Sequence, residues 1–135
     1  MNVLFICQLN SVRSPIAEGL LRKRLGLLGN IKSCGLTPDE PNDFMLAVMN
    51  EVGVDMSGHE PLSIYDVENE SFDRIIAFTA SAKAGAEAVF GKTEPQIELW
   101  AVPNPVEGSL DVRALLNNFR AIRTNIDARL AREFT

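Results

Sequence analysis

Residues 2–21 read NVLFICQLNSVRSPIAEGLL. The opening NVLFIC is a short, nearly unbroken apolar run rich in β-forming residues, the pattern of a strand buried on both faces of a parallel sheet. Ser14 and Pro15 then read as an N-cap and a first helical residue. Ile16, Leu20, Leu21, Arg24 and Leu28 follow on a helix predicted to close near Gly29. The chain therefore passes from strand to helix through a very short loop, Gln8 to Arg13, with Cys7 at the strand end.

That loop has a chemical consequence. A tight strand-to-helix loop turns successive backbone N–H groups inward, and together with a helix N-terminus they form a nest for an anion. On this reading Gln8, Leu9, Asn10, Ser11, Val12 and Arg13 make up a phosphate-binding loop after strand 1. Arg13 adds a planar fork matched to two oxygens of a tetrahedral anion. Cys7 lies at the base of this positive field, which favours its thiolate, the nucleophilic form. Ser14 is placed to donate its hydroxyl to that sulfur. The N–H cradle would stabilise the equatorial oxygens of a phosphoryl group under attack.

Working outward, IKSCG (31–35) reads as a second strand and LTPDEPND (36–43) as a loop. Asn42 or Asp43 caps a second helix with Phe44, Val48, Met49 and Val52 on one face, stopped by Gly53. FDRIIAFT (72–79) is a third strand, ASAKAGAEAVFG (80–91) a helix with its glycine stop, and QIELWAV (96–102) a fourth strand. After PNPVEG (103–108), Ser109 starts a last helix striped by Val112, Leu115, Leu116, Phe119, Ile122, Ile126 and Leu130. Strands alternating with helices predict an α/β fold in three layers. Its four-stranded parallel sheet is covered by helices on both faces. Ligands in such folds sit at the carboxyl ends of strands, so the loops after Cys7 and after Val102 should share one rim.

The bulk composition is consistent with this. The chain has 135 residues, 46% hydrophobic and 23% charged, which fits one globular domain spanning 1–135 and excludes wholesale disorder. A net charge of -5 argues against a general nucleic-acid binder, whose affinity rests on Lys and Arg. No apolar run approaches the length of a membrane span, so no membrane partner is expected. Two cysteines, Cys7 and Cys34, are few for a secreted scaffold of this size and favour the cytoplasm. No metal or cofactor is called for.

VLFICQLNSVRSPIAEGLLR resembles the start of the low-molecular-weight protein-tyrosine phosphatase family, which includes thiol-dependent arsenate reductases. SCGLTP, VGVDMSGHEP, FDRIIAFT and VPNPVEG resemble later segments of that family along most of the chain. The resemblance implies Cys7 as nucleophile, Arg13 as phosphate clamp, Ser14 as thiolate partner and Asn10 as the brace of the loop. It implies phosphate or a phosphorylated substrate, either a small molecule or a phosphotyrosine protein, as partner.

The sequence departs from the family where its catalytic aspartate would stand, at Asn104. An amide cannot protonate a leaving phenolate, and loss of general acid catalysis typically costs about 100- to 10,000-fold. Val106 replaces a flanking aromatic, and Val12 replaces a second cysteine in the loop. Leu9 replaces a glycine, which would strain the loop if that position needs positive φ. FTAS stands where an acidic residue is usual. Glu107, then Asp39 and Glu40, are alternative acids; His59 reads as a structural hydrogen-bonding residue, and Trp100 and Tyr65 as packing or rim residues. The expectation is a weak phosphomonoester hydrolase working through a cysteinyl phosphate. A phosphate-binding pseudophosphatase is the first alternative, and an arsenate reductase pairing Cys7 with Cys34 the second.

Overall fold

The apolar run at the N-terminus forms β1 (Asn2–Cys7), the second strand in the sheet order and flanked on both sides. The computed structural model describes residues 1–92, 94–105 and 111–134. β2 (Asn30–Gly35) and β3 (Arg74–Ala77) pair with β1 in parallel, and β4 (Ile97–Leu99) pairs with β3. The order is β2-β1-β3-β4, the four-stranded parallel sheet expected. Connections diverge between β1 and β3, so a crevice opens at their carboxyl ends.

Side chains alternate across the sheet, and the two faces carry separate cores. Val3, Phe5, Cys7 and Ile76 face one way. They pack against α1 (Arg13–Leu25), α2 (Asp43–Asn50) and α4 (Val112–Glu133) through Ile16, Leu21, Met45, Met49, Phe119 and Ile126. Leu4, Ile6, Cys34 and Ile75 face the other way. They pack against α3 (Ala80–Phe90) and a 3-10 turn at Ile64–Asp66 through Ala82, Ala86, Ile64 and Val67. Trp100 is a packing residue, buried against Phe5, Phe78 and Phe134; Tyr65 is exposed. Among the described residues no helix is long and apolar enough to cross a membrane.

Helix boundaries shift from the sequence reading in three places. α1 begins at Arg13, so Ser14 and Pro15 occupy its first turn and Ser14 is not the cap; proline is tolerated there because those N–H groups lack intrahelical partners. α1 stops at Gly26, whose φ of 56° ends it early, and Leu28 is exposed. The cap of α4 is Asp111, which accepts from the Ala114 N–H at 3.0 Å; Ser109 lies outside the described residues. Asn42 caps α2 as expected, accepting from Phe44 and Met45.

Two contacts fix the parts that carry the site. Gly35 ends β2 directly behind the loop after β1. A Cβ there would lie 2.8 Å from the Asn10 N and the Leu9 carbonyl carbon, so only glycine lets the loop sit this close. Glu51, just past α2, receives Arg120 at 2.7 Å and Arg123 at 2.8 Å from α4. Hydrogen bonds from those guanidiniums lower its carboxyl from 4.5 to about 2.

Two outcomes follow. Gly35→Ala should lower stability by about 1–3 kcal/mol, the usual cost of overpacking, read as a denaturant midpoint. Its amide shift changes should concentrate in residues 8–12. Glu51 contributes stability that is present above its unfolded value of 4.5 and lost as pH falls through about 2. Glu51→Gln should therefore show a flatter loss of stability than the parent across that window in acid titrations of unfolding.

Candidate active site

The loop after β1 is defined by where its carbonyls point. Leu36 N–H donates to Cys7 O, Thr37 to Gln8 O, Asp39 to Leu9 O and Asn42 to Ser11 O. The His59 ring Nε2 meets Asn10 O at 3.2 Å, and Ile16 N–H donates to Val12 O at 3.0 Å. Every carbonyl from 7 to 12 is thus held by a neighbour outside the loop. The N–H groups of residues 8–13 take no acceptor among the described residues. A loop whose carbonyls are taken up by the protein and whose N–H groups are left to a ligand has the bonding pattern that suits an anion nest.

Asn10 makes this shape possible. It alone among the described non-glycine residues has positive φ, at 53°, a conformation asparagine tolerates better than most. The structure therefore moves the left-handed position from Leu9, where the sequence reading placed any strain, to Asn10. Leu9 is partly exposed on the cleft wall. Asn10 is fully buried. Its Oδ1 accepts the Leu62 N–H at 2.9 Å, which fixes the amide orientation. Its Nδ2 then donates to Ser14 Oγ at 2.9 Å and Ser33 Oγ at 2.8 Å.

The hydrogen bonds run outward from the Asn10 amide in two branches. Ser33 accepts from Asn10 and sends its one hydroxyl hydrogen to Glu18 Oε1 at 2.9 Å. Glu18 is buried, with Arg22 at 3.0 Å and the His59 Nδ1 at 3.9 Å on its other oxygen. Ser14 also accepts from Asn10, and its Oγ lies 2.9 Å from Cys7 Sγ and 3.5 Å from the Cys34 carbonyl. The network thus places a hydroxyl that can donate within reach of the sulfur.

Cys7, Gln8, Leu9, Ser11, Val12 and Arg13 line one side of a cleft of about 410 Å³, completed by Asn42, Thr79, Ser81 and Asn104. Arg13 is turned across this cleft, its Nη1 on the Val102 carbonyl at 3.0 Å, with the rest of its five-donor fork available to a ligand. The two rims expected to meet do so, because Arg13 bridges the β1 and β4 exits. Such a cradle can receive a tetrahedral oxyanion above the sulfur.

The alternative acids fare differently. Asp39 is next to the loop through its backbone, but its Oδ1 accepts the Glu40 N–H, and neither residue lines the cleft. Glu107 and Val106 lie outside the described residues. His59 is structural, pinned between Asn10 and Glu18. Among the described residues no carboxylate lines this cleft.

Cys34 corrects one expectation. It pairs in register with Ile6, whereas Cys7 pairs with Gly35. The two thiols therefore face opposite sides of the sheet and sit in separate cores. A disulfide between them would require a strand to turn over, so the arsenate route through Cys34 is not supported. Burial, reinforced by the nearby Cys7, pushes the Cys34 thiol far up, which makes it a poor nucleophile.

Several contributors escaped the sequence reading. Ser33 and Glu18 complete the network, and Gly35 and Asn42 touch the loop from β2 and α2. Glu18 had a signal: it is a lone acid within the apolar SPIAEGLL (14–21). Ser33 and Gly35 are the small residues around Cys34 in SCG, whose smallness is what the packed loop needs.

Comparison with known proteins agrees with this architecture. The chain is 33% identical over 131 residues to a glutaredoxin arsenate reductase of Synechocystis sp. (strain ATCC 27184 / PCC 6803 / Kazusa), covering 95% of this chain and 92% of that protein. The fold matches an arsenate reductase solved in the phosphate binding state, with a TM-score of 0.79 and 26% identity over 97% of this chain and 94% of the other. It also matches the YwlE arginine phosphatase from Geobacillus stearothermophilus, with a TM-score of 0.81 and 20% identity over 97% and 88% of the two chains. The profile of the low molecular weight phosphotyrosine protein phosphatases covers residues 2–134, and the chain belongs to that family.

Proposed function

We propose that the chain is a slow phosphomonoester hydrolase that works through a phosphoryl group carried on Cys7. The observation that carries this reading is the buried network Glu18–Ser33–Asn10–Ser14, which ends in a hydroxyl 2.9 Å from the Cys7 sulfur. The thiolate attacks phosphorus while the N–H groups of residues 8–13 and the Arg13 fork hold the equatorial oxygens. Ser14 then stabilises the sulfur as the S–P bond breaks. Gln8, Leu9, Ser11 and Val12 contribute backbone to the cradle.

Asn104 sets the rate. It keeps the size and a donor of an aspartate, but it can neither protonate a leaving oxygen nor take a proton from the water that opens the phosphoenzyme. Both steps are slowed. It also removes a negative charge from the cleft, which favours anion binding. If turnover falls away altogether, what remains is the phosphate-binding pseudophosphatase.

Arsenate is a second substrate reading, favoured by the similarity to the Synechocystis protein. It requires a thiol from outside the chain, since Cys34 faces away from Cys7. Arsenate-dependent consumption of glutathione, lost in Cys7→Ser, would support it; no consumption above the Cys7→Ser level would dismiss it.

The test of the main reading uses aryl phosphates of graded leaving-group acidity. The parent should hydrolyse the most activated esters in a Cys7-dependent manner, with rates falling steeply as the phenol becomes a weaker acid. Asn104→Asp should raise kcat/KM of the poor leaving groups by about 100-fold and change kcat/KM of the most activated ester little, because kcat/KM does not include the later opening of the phosphoenzyme. Absence of Cys7-dependent hydrolysis of every ester, with phosphate still bound, would defeat the hydrolase reading.

A further inference from the structure

Beyond Leu9 and Val12 of the loop itself, the cleft around the cradle is walled by amides and hydroxyls. Asn42 enters from the β2 side, Asn104 from the β4 side, and Thr79 and Ser81 from the end of β3. No aromatic side chain lines it among the described residues. Asn42 is the most constrained of these. Its Oδ1 caps α2 by accepting from Phe44 and Met45, so its amide nitrogen is the end not used in the cap. Its own N–H donates to Ser11 O at 3.1 Å, which fixes the residue against the cradle.

A substrate suited to these walls has two properties. Its leaving group departs as an anion without needing a proton, because position 104 is an amide. It also carries a second oxygen beside the scissile bond, which amide N–H groups can meet. A phenyl ester lacks both: it carries no second oxygen, and its phenolate is a more basic leaving group than a carboxylate. A mixed carboxylic–phosphoric anhydride has both, since its carbonyl accepts a hydrogen bond and its leaving group is a carboxylate.

We infer that the preferred substrates are small acyl phosphates, with the Asn42 amide as the donor to the acyl oxygen. This rests on the Cys7 reading above and deepens it. The thiolate attacks phosphorus, the S–P bond forms and the P–O bond to the acyl group breaks. The carboxylate leaves with the bonding pair as an anion. Water then adds to phosphorus and the S–P bond breaks, which returns the thiolate and releases dihydrogen phosphate. No oxidant, reductant or added acid is needed to balance either step.

Acetyl phosphate, 4-nitrophenyl phosphate and phenyl phosphate, compared on the full chain and its variants, provide the test. Acetyl phosphate should be the best of the three by kcat/KM, and intact mass should show a phosphoryl adduct lost in Cys7→Ala. Asn42→Ser keeps a capping residue for α2 but removes the amide. It should lower kcat/KM for acetyl phosphate about tenfold, the worth of one hydrogen bond to a developing charge, with a change of less than about threefold for 4-nitrophenyl phosphate. If 4-nitrophenyl phosphate is cleaved through Cys7 but acetyl phosphate is no better than phenyl phosphate, the acyl inference fails and the hydrolase reading stands. An acetyl adduct on Cys7, which reports attack at the carbonyl, also overturns it, as does an equal effect of Asn42→Ser on both esters. Hydrolysis that survives unchanged in Cys7→Ser defeats both readings.

Discussion

The left-handed backbone of Asn10 is the constraint on which the site depends. It turns the chain after β1 so that the loop carbonyls are taken up by the protein, while the N–H groups of residues 8–13 take no acceptor among the described residues. Such a conformation is costly for most residues, and here one buried carboxamide holds it by donating two hydrogen bonds and accepting one. The same carboxamide donates to the Ser14 hydroxyl that lies against the sulfur. One side chain therefore ties the shape of the loop to the group beside Cys7.

The rest of the fold supplies what Asn10 needs. β2 brings Ser33 beneath the carboxamide and ends in Gly35, which has no Cβ to push the loop away. α1 returns Glu18 to the base of the network, where Arg22 offsets its charge. The segment before the 3-10 turn at Ile64–Asp66 contributes the Leu62 N–H and the His59 ring. A buried polar network is favourable only when every member is satisfied, and each member here has a partner.

Much of this was legible in the sequence. The apolar run at residues 2–7, the alternation of strands and helices, and the short stretch from Gln8 to Arg13 predicted the sheet and a tight loop leading into α1. Their signals are local: periodicity, β-branching and the loop's brevity. The helix ends were less legible, because Gly26 and Asp111 compete with Gly29 and Ser109 as equally good stop and start residues. The supporting network was the least legible. Ser33 and Glu18 meet only because two elements pack, and nothing along the chain announces that pairing. The opposite orientation of Cys7 and Cys34 is a matter of one residue of register between β1 and β2.

The central claim is that the N–H groups of residues 8–13 converge on one anion above Cys7. A titration of the 15N-labelled chain with inorganic phosphate, followed by amide shifts, addresses it directly. The account predicts that the amides of residues 8–13 move together with one midpoint, and that Arg13→Ala shifts that midpoint to higher phosphate. Loop amides that stay still while distant surface amides respond, or an unchanged midpoint in Arg13→Ala, would contradict it.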